Sequence, residues 1–152
     1  VVYKGFNFRL TDFQCALGIM QLKRLELFLK SRKIIAERYS KKLKKISNIF
    51  IPKHQNKYKS SNHLYIINFN FKILKVKEKL IKFMLKNKII LQYHYIPIYK
   101  FKIFKDKYLK DCSEHYYQSS ISLPIYHGLK HKEQNKVIKL LKFFFDNGSK
   151  TK

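Results

Sequence analysis

Cysteine is nearly absent from this chain: Cys15 and Cys112 are the only two, about a hundred positions apart in 152 residues. Two thiols without close spacing supply neither a zinc signature nor a disulfide framework, and burial on the packed face of a helix is the expectation for Cys15. Long apolar runs are missing as well. None approaches the roughly 18 residues that a membrane-spanning helix needs, and the opening Val1-Val2-Tyr3-Lys4 does not read as a signal peptide. The expectation is a cytoplasmic protein with no membrane partner. Acidic residues are scarce, 9 against 34 Lys and Arg, which leaves a net charge of +25 and a pI near 10.1. Such an excess ordinarily points to nucleic acid or an anionic surface. Arginine is scarce too, however: 30 of the 34 basic residues are Lys and 4 are Arg. Arg is the residue suited to bidentate phosphate and base recognition, whereas Lys is a hydrated point charge. Gly, Ala, Arg and Pro together number 13, while Lys, Ile, Asn, Phe and Tyr number 81. AT-rich codons produce that imbalance, so most of the charge reads as compositional drift and no specific nucleic-acid site is expected.

What is present reads as one domain, long enough to bury a core. Thr11 is a good N-cap, and Gln14 three residues on completes a capping box. Apolar residues then recur with helical spacing from Phe13 through Leu17, Met20, Leu25, Phe28 and Ile35 to Ile46. An unbroken helix over that span would run roughly 50 Å, too long for one small domain to cover, so a bend or break is expected. Ile49-Phe50-Ile51-Pro52 predicts a short strand, 53–60 a polar loop, and His63 to Phe71 a strand rich in aromatic and β-branched residues. A second amphipathic helix follows from Val76 to about Asn87, then a strand from Ile89 to Tyr95 that Pro97 halts. Asp111 with Glu114 suggests a capping box for a short helix, and Ile121 to Ile125 a brief extended segment. Val137 to Phe145 predicts a terminal helix stopped by Asn147-Gly148 in a left-handed cap, with 149–152 frayed. Helices with a few strands on longer connections make an α+β fold, with flanking helices on a small, mostly antiparallel sheet. There is no internal repeat and no linker.

In an extended Phe6-Asn7-Phe8-Arg9, the two rings share one face and the amide and guanidinium the other. Such a segment can anchor by burying the rings and grip a phosphate with charge-assisted hydrogen bonds. On chemistry alone the favoured reading is that Arg9 pairs with Asp12 and Asn7 satisfies backbone. His94 and Tyr95 end a strand beside Pro97, where an imidazole and a phenol can meet a phosphate or a sugar hydroxyl. His63 is similar. His115, His127 and His131 have no ligand-like spacing with cysteines or carboxylates, so no metal is assigned. Lys41-Lys42 and Lys44-Lys45 suit the C-terminal end of a helix dipole as a solvated face. No catalytic acid or base stands out.

Four segments in order carry a resemblance. They are Gly5-Phe6-Asn7-Phe8-Arg9-Leu10-Thr11-Asp12 with Gln14, Ala16, Gly18, Gln21 and Leu22; Ser61-Asn62-His63-Leu64-Tyr65; His94-Tyr95-Ile96-Pro97-Ile98-Tyr99; and Ser122-Leu123-Pro124. Together they resemble the C-terminal small domain of the PLP-dependent sugar-nucleotide aminotransferases, the DegT/StrS family, most closely its pseudaminic-acid branch. The resemblance implies a fold-type I small domain over 1–152, with a lead-in segment 1–11, and a large domain carrying the catalytic lysine that is absent from this sequence. None of the 30 lysines sits in the family's lysine motif, so no catalytic residue is assigned here. It implies pyridoxal 5'-phosphate as cofactor in the complete enzyme, with Asn7 reaching the cofactor phosphate of a homodimer partner. It further implies Arg9, His63, His94, Tyr95 and Tyr99 as substrate contacts. The implied reaction passes an amino group from glutamate to a UDP-linked keto sugar in surface-polysaccharide or flagellin-glycan precursor synthesis. The other class open to such a chain is a stand-alone basic module for RNA or an anionic surface.

Overall fold

The computed structural model describes residues 5–6, 8–52, 60–69, 76–93, 95–104 and 112–148. The expectations for Asn7, His94, the Asp111 cap, most of the 53–60 loop, the last two residues of the 63–71 strand and the tail 149–152 fall outside them.

Helix α1 spans Asp12–Lys23 and starts as its sequence dictates. The Gln14 amide N–H donates to Thr11 Oγ1 at 3.3 Å, and the Thr11 amide donates back to Gln14 Oε1 at 2.9 Å. The long apolar stretch breaks at Arg24, whose guanidinium lies 5.0 Å from the Phe28 ring centre. Helix α2 follows over Leu25–Leu43. It stops short of Ile46, and Asn48 turns the chain at φ 66 into β1, Ile49–Phe50. Strand β2, Tyr65–Phe69, is the centre of an antiparallel sheet ordered β1-β2-β3, with β3 at Ser120–Leu123. Tyr65 faces Leu123 and Ile67 faces Ile121. Helices α3, Val76–Lys86, α4, Cys112–Ser119, and α5, His131–Gly148, complete an α+β fold. Helix α5 ends at Gly148, where the stop at Asn147-Gly148 is expected.

Among the described residues, the predicted strand from Ile89 to Tyr95 keeps a single antiparallel bridge, Gln92 to Ser122, on the outer edge of β3. Toward Ile89 the reason is Pro124. Two positions along this register the ladder would pair Ile90 with Pro124, which has no N–H to give. The Pro124 carbonyl accepts from the Tyr39 hydroxyl at 3.0 Å. The burial alternation of a strand survives, Ile89 and Leu91 in and Ile90 out, without its ladder.

One core joins the sheet to α2, α3 and α5. Tyr39, Leu43, Ile67, Leu80, Met84, Ile121 and Leu141 are wholly buried in it, aliphatic side chains of this size contributing about 1.5–3 kcal/mol each. Tyr39 packs on Tyr65 and Phe69 on Phe145. Helices α2 and α5 are pinned by Arg38, which donates to Gln134 Oε1 at 2.8 Å and Asn135 Oδ1 at 2.6 Å, while Gln134 Nε2 donates to the Ile35 carbonyl at 2.8 Å. The other sheet face carries Ile66, Asn68, Ser120 and Ser122.

Helix α1 buries no residue. Phe6 and Phe8 are 86% and 90% exposed, stacked on one another 5.6 Å apart rather than buried as expected. Cys15 is exposed too, against the buried thiol expected. The reason is the same in each case: no part of the described chain stands opposite this stretch.

Candidate functional site

The bridge between Gln92 and Ser122 brings the chain leaving α3 to the edge of β3, and a cleft of about 300 Å³ opens there. His63, Ile90, Gln92, Ser122, Pro124 and Tyr126 are among its lining residues. The lining mixes polar groups, His63, Gln92, Ser122 and Tyr126, with apolar ones such as Ile90 and Pro124. Among the described residues, His63, at the foot of β2, is thus the one candidate that lines the cleft. Tyr95, Tyr99 and Arg9 do not line it.

Past Gln92 the chain enters the segment that carries the other candidates. Pro97 is buried and opens a 3-10 turn over Ile98–Lys100, followed by a second over Lys102–Phe104. Tyr95 is 73% exposed. Tyr99 is half-buried and donates its hydroxyl hydrogen to Glu114 Oε2 at 2.6 Å. The other carboxylate oxygen, Oε1, accepts from Lys100 Nζ at 2.8 Å and from Gln118. The bond from Lys100, then that from Tyr99, holds the Glu114 carboxyl down to about 2. Glu114 is therefore an anion at any physiological pH. Among the described residues its oxygens serve the turn that carries Tyr99 and Lys100.

On the same helix, Tyr117 lies among cations. Lys77 Nζ sits 4.7 Å from its ring centre and Lys100 Nζ 5.3 Å. Lys77 also stands 5.3 Å from the Tyr93 ring and donates to the Tyr117 carbonyl. Burial lowers the Lys77 ammonium from its ordinary value. Tyr93 meets Tyr117 edge-on at 5.9 Å.

Arg9 is exposed on the lead-in, and among the described residues no ion pair joins it to Asp12. Its guanidinium is left to solvent beside the exposed rings. No group of three or more His, Cys, Asp or Glu that could hold a metal occurs among the described residues, and no described helix is long and apolar enough to cross a membrane. Gln92, Tyr126 and Glu114 did not stand out in the sequence as site residues. Only Glu114 left a signal: it is one of nine acids in a chain with 34 bases.

Residues 2–142 match the profile of the DegT/DnrJ/EryC1/StrS aminotransferase family. The UDP-4-amino-4,6-dideoxy-N-acetyl-beta-L-altrosamine transaminase of Campylobacter jejuni is 35% identical over 137 residues, 88% of this chain and 36% of that protein. Among solved structures, Helicobacter pylori PseC, an aminotransferase involved in the biosynthesis of pseudoaminic acid, superposes with a TM-score of 0.87 at 31% identity. That match covers 96% of this chain and 40% of the other, in its C-terminal portion. A putative sugar aminotransferase of Streptococcus pneumoniae, solved in a PLP-form, gives a TM-score of 0.83 at 26% identity over 95% of this chain and 38% of the other. The chain thus spans little more than a third of the length of the relatives it matches.

Proposed function

This chain belongs to the DegT/DnrJ/EryC1/StrS aminotransferase family, and from that premise we propose that it is the small domain of a sugar-nucleotide transaminase. The observation that carries the reading is the superposition of nearly the whole chain on the C-terminal portion of PseC. The whole enzyme passes an amino group from glutamate to a UDP-linked keto sugar, in the cytoplasm, as a homodimer. Pyridoxal 5'-phosphate supplies the electron sink for that chemistry when bound, and its lysine belongs to a large domain that this sequence does not contain. The donor set of the lead-in suits the group. The Asn7 amide and the Arg9 guanidinium, the latter without a carboxylate partner among the described residues, are donors fit for phosphate oxygens.

This chain's part is to bind and orient. Asn7 holds the cofactor phosphate of the neighbouring subunit, and Arg9 meets the charged part of the sugar nucleotide. His63 presents an imidazole at the cleft mouth. His94, Tyr95 and Tyr99 line the substrate, with Tyr99 already committed as a donor to Glu114. The exposed apolar face of α1 supports the reading, because a complete small domain has no use for it. The net charge of +25 favours a second reading, a stand-alone basic module for RNA or an anionic surface.

The test pairs this chain with a large domain of the family and follows glutamate-dependent formation of the amino sugar and 2-oxoglutarate. The chain alone is expected to be inactive and the pair active. Asn7→Ala should weaken cofactor retention by about 1–3 kcal/mol, the worth of one phosphate hydrogen bond, and in mixed dimers the loss should fall on the opposite subunit. A pair that folds but transfers no amino group overturns the reading. Nanomolar RNA binding that persists at physiological salt would put the basic module in its place.

A further inference from the structure

We infer that Glu114 and Tyr117 are positioning residues that fasten the segment carrying Tyr95 and Tyr99 to helix α4, an inference resting on the proposal that this segment lines a substrate. The segment has two fixed ends. At its start the Tyr93 ring meets Tyr117 edge-on at 5.9 Å, and the Lys77 ammonium lies against both rings, 5.3 and 4.7 Å from their centres. At its far end the Glu114 carboxylate receives Tyr99 at 2.6 Å on one oxygen and Lys100 at 2.8 Å on the other, and the Lys100 ammonium lies 5.3 Å from the Tyr117 ring. Two residues one helical turn apart on α4, 114 and 117, therefore grip both ends of one loop. Between the ends, Tyr95, Ile96 and Ile98 are exposed, while Pro97 is buried.

The chemistry explains why an acid stands here in a lysine-rich chain. Lys77 and Lys100 both lie against the Tyr117 ring, and two ammoniums so placed repel one another unless an anion accompanies them. Glu114 supplies it. Because the phenol hydrogen of Tyr99 is spent on Glu114, the orientation of the Tyr99 ring is set by the carboxylate and not by solvent. A loop held in this way presents its exposed side chains to a ligand without first having to be ordered, which removes an entropic cost of binding. The sequence places the pair on one helix face but gives no hint of the loop that it holds.

Hydrogen exchange on the 152-residue chain tests the fastening. In Glu114→Ala, amides of residues 98–104 should exchange about tenfold faster or more, the loss expected for charge-assisted bonds. Amides of β2 and α5 should keep their wild-type rates. Glu114→Gln retains an acceptor for Tyr99 and loses the charge, so it should fall between wild type and alanine; Tyr117→Leu should free residues 93–96 as well. Wild-type exchange over 98–104 in Glu114→Ala, or an equal acceleration across the core, would overturn the inference. In the enzyme completed with a large domain, the same variant should raise KM for the sugar nucleotide about tenfold while kcat stays near wild type. Loosened exchange with KM unchanged would refute the positioning role. Loosened exchange in Glu114→Ala, together with a completed wild-type enzyme that transfers no amino group, would sink the enzymatic reading and leave the fastening intact.

Discussion

Glu114 binds a proton far less readily in the fold than in the unfolded chain. Unfolded, it titrates as an ordinary carboxylate near 4.5; folded, Lys100 and Tyr99 hold it at about 2. A folded value below the unfolded one means that the unfolded chain takes up the proton first as pH falls. The stabilisation is thus complete above about pH 4.5 and is lost as pH drops toward 2. Substituting Glu114→Gln removes this pH-dependent part. The gap in urea midpoint between wild type and Glu114→Gln should therefore narrow between pH 5 and pH 2.5, while both proteins follow the same background from other groups. A gap that stays constant across that range would mean that the carboxylate is not held in the fold as described. Tyr39 and Tyr65 behave in the opposite sense, since burial raises both phenols and keeps them neutral inside the core.

At the level of elements, α1 rests on its capping box and little else, since it buries nothing. Thr11→Ala should cost the first turn about 0.5–2 kcal/mol. Amides of residues 12–16 should then exchange faster, while α5 and β2 keep their protection. Slowed or unchanged exchange in that turn would show that contacts other than the cap hold it. The same helix marks what was legible in the sequence. Thr11 and Gln14 lie three apart in one short stretch, so their bonding could be read from spacing alone. The 3.6-residue period of α2, α3 and α5 and the β-prone run of β2 were equally local. What could not be read were the facts that depend on a partner distant in sequence. Whether Ile89 to Tyr95 forms a ladder depends on Pro124, thirty-odd residues away. At the site, the motif positions of His63, Tyr95 and Tyr99 were legible, but the bond from Tyr99 to Glu114 spans 15 residues and follows no periodicity. Cys15, Phe6 and Phe8 were expected to be buried because their pattern is that of a packed face, and the face has nothing to pack on within the described chain.

For the whole molecule, two surface properties pull in opposite directions. A net charge of +25 keeps like molecules apart. Against it stands a continuous apolar stretch: Phe6, Phe8, Leu10, Phe13, Leu17, Ile19, Met20 and Leu22 all expose more than half their surface. Phe13, Leu17, Ile19, Met20 and Leu22 lie on more than one face of α1, so no rotation of the helix against α2 would hide them all. Exposed apolar patches beyond a few hundred Å² mark an interface or cause aggregation. Charge repulsion between separate molecules is screened over about 8 Å at physiological ionic strength, whereas apolar contact is not weakened by salt. The lone chain is therefore expected to self-associate, and to do so more strongly as salt is raised. Sedimentation velocity at about 50 and 500 mM salt, both sides of that screening length, measures this directly. Co-expression with a large domain of the family should cover α1 and return a discrete, soluble species. If the chain instead sediments as a monomer at both salts and melts cooperatively, α1 needs no partner, and its exposed face is not the seam between this domain and another.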